Sequence, residues 1–404
     1  MFESINTGMT AMAAFSRGLA NISSNVANMN TVGFKRSVLQ FRDLLYGEDG
    51  MGGMPGRGVA TGQPRQVLSQ GELRSTGNAL DAALDGNGYF ILRHGSQASQ
   101  ARYTRDGQFE FDAAGMLVAR GANVPVMVMG QGGAPAALNI AGWRSIPGSA
   151  TSVMKFTGSL STADSDKLHS IDNITLFDAL GGPHTVSIRF ADKTDPAAGG
   201  GGHDWDFTLT DSQQRQLASG TLVFGADGAP AAGSDKFSFS WTPPGTLARN
   251  VTLDFGEAGR FSGLTSFSVG ADSTASLQSA DGVSSGSITG TRFEADGTVL
   301  AQYSNGQSRS MGRLALAWFA NQEHMVTAGD NLWMSVGGAE PVIGTAQGGV
   351  FGSVSGAQVE GSNVDLTEQF SELILTQRGY QASSQVISTA NDMLQQLFDM
   401  RGRR

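Results

Sequence analysis

Helical periodicity is confined to the two ends of this 404-residue chain, and everything between them is punctuated by glycine. Near the start, Ile5, Met9, Met12, Leu19, Ile22, Val26 and Met29 recur in steps of three and four, with one position skipped near Phe15 and Ser16. Near the end, Leu366, Phe370, Leu373, Gln377, Tyr380, Ser384, Ile387, Asn391, Leu394 and Phe398 keep alternating steps of four and three. Asp365, with Glu368 three positions on and Ser362 and Asn363 just outside, makes a capping-box-like start to the second helix. At 1.5 Å per residue the two helices would run about 35 and 50 Å. Two seams at opposite ends of one chain predict that the helices pair, so that the chain returns to where it began.

Neither helix is comfortable alone. Gly8, Gly18, Ser23, Ser24, Asn25 and Asn28 each cost some tenths to about 1 kcal/mol against alanine, and Gly379 does the same in the second helix. Gln377, Ser384 and Asn391 put polar groups on its seam, which favours a defined register and partner number over maximal stability. Such segments order when they find partners. The asparagines before Thr31-Val32-Gly33 therefore read as a surface completed only by neighbouring subunits. Gly33 and Phe34 mark the passage from helix to connector.

The middle reads as strands and turns. Glycine accounts for 56 residues, and Asp-Gly pairs fall at 85–86, 106–107, 227–228, 281–282 and 296–297, with Asn305-Gly306 besides. Such pairs supply the positive φ that hairpin turns need. Residues 293–319 read as strand, turn, strand, turn, strand. The Gly-rich run 47–62 fits an extended connector, and 195–205 a long surface loop. The predicted fold is multidomain and mixed: paired N- and C-terminal helices, coiled-coil-like, plus two nested mainly-β domains. Its division is a helical assembly domain (1–46 and 359–404), a connector (47–70), a discontinuous inner β domain (71–145 and 285–358) and an inserted outer β domain (146–284). For that outer domain a barrel-like arrangement is the expectation.

Composition limits the chemistry. A formal net charge of -9 argues against a nucleic-acid partner, and the basic end Arg401-Gly402-Arg403-Arg404 fits a helix C-terminus. There is no cysteine, hence no disulfide, thiol nucleophile or Cys-ligated metal. Glu3 and Arg17 interrupt any cleavable signal, and no stretch is long and apolar enough to span a membrane. Gly282-Val-Ser-Ser-Gly286 matches a nucleophile-elbow pattern with Ser284 at its centre, but that elbow needs a strand before and a helix after. His94, His169, His184, His203 and His324 never pair at helical spacing. Asp164 and Asp166 before His169 lack the glycine and distal Glu of a calcium loop. The expectation is no catalytic residue, no metal and no cofactor.

Four separated motifs nevertheless point to a family. Residues 21–36, "NISSNVANMNTVGFKR", and 361–397, "GSNVDLTEQFSELILTQRGYQASSQVISTANDMLQQL", resemble the N- and C-terminal signatures of the bacterial flagellar rod and hook proteins. "LRSTGNALDAALDGNGYFIL" (73–92) and "YTRDGQFEFDAAGMLV" (103–118) are similar to core strands of that family. The insert at 146–284, with "YSNGQSRSMGRLALAWFANQ" (303–322) and "GDNLW" (329–333), resembles the hook branch, with a rod protein or variant axial protein as the alternative. A secreted serine hydrolase using Ser284 is the remote alternative.

The resemblance implies a structural subunit in a curved helical tube that joins rod to filament and transmits torque as a universal joint. It also implies terminal helices around an export channel. Implied partners are copies of the chain, rod, hook-cap and hook–filament junction proteins, and the flagellar type III export apparatus, which reads uncleaved N-termini. The place implied is the flagellum outside the cell, without membrane insertion. Subunit assembly would then fall on Ile5, Met9, Met12, Leu19, Ile22, Asn25, Val26, Asn28, Met29, Leu366, Phe370, Leu373, Gln377, Tyr380, Ile387, Asn391, Leu394 and Phe398.

Overall fold

The structure is a computed structural model that describes residues 2–44, 58–93, 101–130, 133–163, 167–193, 203–243, 245, 247–267, 272–337 and 340–401. Most of the expected connector 47–62, most of the loop 195–205, His94, Asp164, Asp166 and the last three residues lie outside the described residues.

Two helices close the ends: α1, Phe2–Ala27, and α2, Leu366–Arg401. Between them the regular elements of the described chain are β-strands, apart from two short 3-10 turns, joined by turns and irregular loops. The first helix ends earlier than its periodicity suggested. Asn28 to Gly33 form turns held by Asn28 N–H to Ser24 O and Thr31 N–H to Asn28 O, so Met29 sits beyond the helix. At α2, Asp365 Oδ1 accepts from the N–H groups of Thr367 and Glu368, a working N-cap. Glu368 turns instead to Arg36 at 2.6 Å.

The chain divides into two compact units, 1–141 with 291–301 and 309–404, and 142–290 with 302–308. In the first, a six-stranded sheet runs in the order Met325–Gly329, Leu332–Ser335, Ala101–Thr104, Tyr89–Arg93, Leu316–Trp318, Val342–Gly344. Its core gathers Tyr89, Ile91, Tyr103, Phe319 and Trp333, with Tyr103 and Phe319 edge-on at 4.8 Å. Residues far apart in sequence pair beside it: Ala82–Asp85 with Ser353–Gly356, and Leu73–Ser75 with Gln358–Glu360. These pairings return the chain to the start of α2.

In the second unit, Leu168–Phe177, Pro183–Asp192, His203–Asp211 and Gln216–Phe224 form an antiparallel meander. A second sheet centres on Val153–Ser161, which pairs parallel with Arg249–Asp254 and Leu264–Phe267 and antiparallel with Ser276–Ala280. Both sheets face one core containing Trp205, Phe156, Phe190, Phe207 and Phe255. Phe156 and Phe255 stack at 5.2 Å, and Trp205 Nε1 donates to Ser266 Oγ at 3.1 Å. The two sheets share this core and their edges come side by side, Gln216–Phe224 by Lys236–Trp241 and Leu168–Phe177 by Ser276–Ala280, which is compatible with the barrel-like expectation. Sequence spacing marks strands but not whether their edges join.

The turn glycines divide into two kinds. Gly86, Gly228, Gly297 and Gly306 hold positive φ, as hairpin turns require. Gly107 does not: a Cβ there would lie 1.5 Å from the Ala82 carbonyl oxygen, so this Asp-Gly pair marks a close backbone approach.

Candidate functional site

The two helices run antiparallel within the first unit. A Cβ at Gly8 would lie 2.7 Å from Ile387, one at Gly18 3.2 Å from Thr376, and one at Gly379 2.6 Å from the Phe15 ring. Asn25 Nδ2 donates to Gln369 Oε1 at 2.9 Å. The α2 face turned to α1 is therefore Gln369, Thr376, Gly379, Ser383, Ile387 and Ala390; Ile387 lies on the periodic seam and the other five lie one residue before a seam position. Gly379, Ser383 and Ala390 are small enough on this face to let the backbones approach. Of the periodic positions, Ile22 and Asn25 are buried, while Ile5, Met12, Leu19, Val26, Asn28, Met29, Leu366, Leu373, Ile387 and Leu394 are half-buried. Met9, Phe370, Gln377, Tyr380, Ser384, Asn391 and Phe398 are exposed.

Asn25 does not wait for a neighbour. Besides Gln369, its side chain accepts from Ser37 N–H and donates to Ser37 O, and Asn21 donates to the same carbonyl at 2.7 Å. Asn28 folds back on Ser24 O. The asparagines that made the helix end look weak are spent on pinning the outgoing chain. This corrects the reading of Asn25 as a surface completed only by other subunits.

Just beyond, the four sequence motifs meet. Gly33, at φ +70°, donates its N–H to Glu360 O at 2.8 Å, and a Cβ there would strike Asp106 N at 2.7 Å. Lys35 and Glu360, both buried, pair directly, and Lys35 Nζ also donates to Ser69 O at 2.7 Å. Arg105 Nη1 meets the other Glu360 oxygen at 3.2 Å, and its guanidinium lies 5.2 Å from the centre of the Tyr89 ring. Gly71 N–H adds a third kind of donor to Glu360.

Burial pulls the Lys35 ammonium below the usual lysine range and Arg105 adds to that pull, while Glu360 opposes it. Burial likewise lifts the Asp106 carboxyl to about 6, with Gln108 N–H and Arg120 opposing and Asp81 adding. Phe34 is half-buried beside this knot.

The chain ends are clamped to it. Asn363 Oδ1 accepts from Arg36 N–H, and its amide donates to Val67 O at 2.8 Å. Asn331 donates to Val32 O at 2.9 Å, and Trp333 Nε1 to Gln66 Oε1 at 2.7 Å. Sequence reading missed Lys35, Arg105 and Glu360 as a set. Glu360 is a lone charge in an uncharged stretch, but Lys35 sits beside Arg36 and Arg105 beside Asp106, so only the fold shows that the three converge.

Catalytic geometry is a separate matter. Ser284 lies between strands, its carbonyl held by Asn305 Nδ2 at 2.8 Å, and the chain continues into the strand Gly286–Phe293 where an elbow would need a helix. His184 contacts Asp178 Oδ2 at 2.9 Å in a hairpin corner, and that hydrogen bond is the main cause holding Asp178 below its usual range. His169 bonds Ala275 O. Among the described residues no group of three His, Asp or Glu gathers as metal ligands, and no helix is long and apolar enough to cross a membrane.

Comparison with known proteins fits this arrangement segment by segment. Residues 5–35 match the flagella basal body rod protein model, and 355–400 the flagellar basal body rod FlgEFG protein C-terminal model. Residues 83–138 match the flagellar hook protein FlgE/F/G D1 domain, and 149–311 the flagellar basal body protein FlaE D2 domain. The flagellar hook protein FlgE of Salmonella typhimurium is 28% identical over 98% of this chain and 100% of its own length.

The chain belongs to the flagellar hook protein family. The hook proteins FlgE of Escherichia coli K12 and Treponema pallidum are 27% and 28% identical, each over 99% of this chain and all of their own length. The Helicobacter pylori hook protein FlgE2 structure overlaps at a TM-score of 0.49 and 11% identity, over 71% of this chain and 99% of that one. The buried knot of Lys35, Arg105 and Glu360 thus ties together three of the four stretches that the hook and rod family models match or border.

Proposed function

We propose that this chain is a structural subunit of the bacterial flagellar hook, polymerising with copies of itself into the flexible tube that joins rod to filament. The observation that carries this is the match to hook proteins along their whole length, inserted β unit included. In this reading α1 and α2 pair in a coiled-coil-like manner as an assembly domain (1–46 and 359–404). The connector (47–70) leads to an inner β domain (71–145 and 285–358), into which an outer domain (146–284) is nested. The periodic positions that are exposed, Met9, Phe370, Gln377, Tyr380, Asn391 and Phe398, then serve contacts between copies, and the exposure of their large side chains supports this.

The chain would leave the cell through the flagellar export apparatus with its N-terminus uncleaved and meet rod, hook-cap and hook–filament junction proteins. It works by geometry and needs no reaction. The knot at Glu360 supports that role, because a bending tube needs each subunit to keep its helices fixed to its β core while outer contacts slide. Negative-stain microscopy of hook–basal bodies from a strain lacking this gene tests the reading. Rods without hooks are expected; intact hooks would overturn it, and missing rods would make the chain a rod subunit.

A further inference from the structure

The chain contains two Asn-Gly pairs, Asn87-Gly88 and Asn305-Gly306, and the fold treats them oppositely. This dipeptide carries its own chemistry. The glycine nitrogen can attack the side-chain carbonyl carbon of the asparagine, because no Cβ hinders the approach and glycine reaches the conformations that ring closure needs.

At Asn305 both reacting groups are tied. Its Nδ2 donates to Ser284 O at 2.8 Å, and its Oδ1 accepts from Gln307 N–H at 3.1 Å. The Gly306 N–H, which would supply the nucleophile, donates to Tyr303 O at 3.0 Å. All three bonds must break before the ring can close.

Asn87 is the reverse. It is exposed in the turn between the strands Ala82–Asp85 and Tyr89–Arg93. Among the described residues its side chain makes no hydrogen bond, and neither does the Gly88 N–H. The fold requires this glycine but not this asparagine. Gly88 holds φ +131°, where other residues rarely sit, and a Cβ there would lie 3.4 Å from the Phe351 ring. Asn87 has no positive φ to explain its choice.

We infer that Asn87 is a site of self-modification, converting to aspartate and isoaspartate in the folded chain. The Gly88 nitrogen gives up its proton to solvent and bonds to Asn87 Cγ. The Cγ–Nδ2 bond breaks and ammonia leaves, closing a succinimide ring. Water then opens the ring at either carbonyl. Opening at Cγ gives aspartate. Opening at the backbone carbonyl gives isoaspartate, whose main chain runs through Cβ and Cγ and is longer by a methylene. Water is the only co-reactant.

The position gives the change a consequence. Gly86 O accepts from Arg105 Nη2 at 2.8 Å, and Asn87 O accepts from Gly352 N–H at 3.0 Å. A Cβ at Gly86 would lie 3.1 Å from Gly352 Cα, so the turn has little slack. A longer main chain at residue 87 displaces these carbonyls and slackens the hold on Arg105, one of the two cations on Glu360. Conversion thus loosens the buried ion cluster as the chain ages. This inference goes beyond the hook-subunit reading and does not depend on it.

The full chain, folded or in urea, is aged in mildly alkaline heavy-oxygen water and mapped by peptide mass spectrometry, with isoaspartyl methyltransferase counting isoaspartate. In urea the two pairs should convert at similar rates. In the folded chain Asn87 should convert at least about tenfold faster than Asn305, whose three bonds hold it back. Asn305 keeping pace with Asn87, or no conversion at Asn87, would overturn the site. Hydrogen exchange of the aged chain should show the strands at 73–75 and 358–360 losing protection, while an Asn87→Ser chain aged alike keeps it. Equal protection in the two aged chains would overturn the link to Arg105.

Discussion

The terminal region and the inserted β unit are stabilised in opposite ways. The insert is two sheets around aromatic side chains: Trp205, Phe156, Phe190, Phe207 and Phe255 bury large apolar areas, each worth on the order of 2–3 kcal/mol. Among the described residues, the helix pair buries mostly small side chains, with Ala14, Ile22 and Ala390 among them. It is held by small residues along the helix contact, by amides on Ser37 and Gln369, and by one buried ion cluster. A helix pair joined by Gly379, Thr376 and Asn25 gains little from hydrophobic burial and depends on directional bonds. The difference teaches where order is conditional: at the ends, where subunits would join.

The sharpest way to break this contrast is Glu360→Gln. It leaves Lys35 and Arg105 buried without their carboxylate, a loss of roughly 3–5 kcal/mol. Hydrogen exchange should show α1, α2 and the strands at 73–75 and 358–360 opening, while amides around Trp205 keep their protection. Equal loss of protection in both regions would mean that the contrast is false.

Asp106→Asn should act in the other direction. The folded-state carboxyl is raised to about 6 from 3.8, so the native state penalises the ionised form. Wild-type stability therefore falls as pH rises from about 4 to about 6 and stays lowered above that. The variant should gain up to roughly 3 kcal/mol above pH 6 and nothing below pH 4, by urea denaturation at the two pH values. A gain that does not vary with pH would assign the effect to packing. The smallest expected effect is Asn25→Ala, about 1–2 kcal/mol, because Gln369 loses a buried partner. Near-ultraviolet signals from the tryptophans of the insert should not move.

Much of the architecture was legible in the chain. Periodicity located both helices, Asp365 located the start of α2, and Asp-Gly and Asn-Gly pairs located most turns, because these features are local. The helix contact was read one residue out of register. A seam of Phe370, Tyr380 and Phe398 has the spacing of a buried face, yet the chain turns Gln369, Thr376 and Gly379 inward, and sequence hydrophobicity cannot register that close approach outweighs side-chain size. Asn25 likewise reads from sequence as a surface for neighbouring subunits, since its bonds go to Ser37 and to a residue 344 positions away.

By itself, then, the sequence determined the ends-helical, middle-β layout and the family, since short-range spacing and turn chemistry suffice for these. Only the tertiary structure decided that Lys35, Arg105 and Glu360 form one buried knot and that the two sheets of the insert close over one aromatic core. Both outcomes depend on which distant segments share an interior. In that dry space a lone charge is costly and a triad is tolerable, so meeting partners from across the chain, rather than local preference, sets the result.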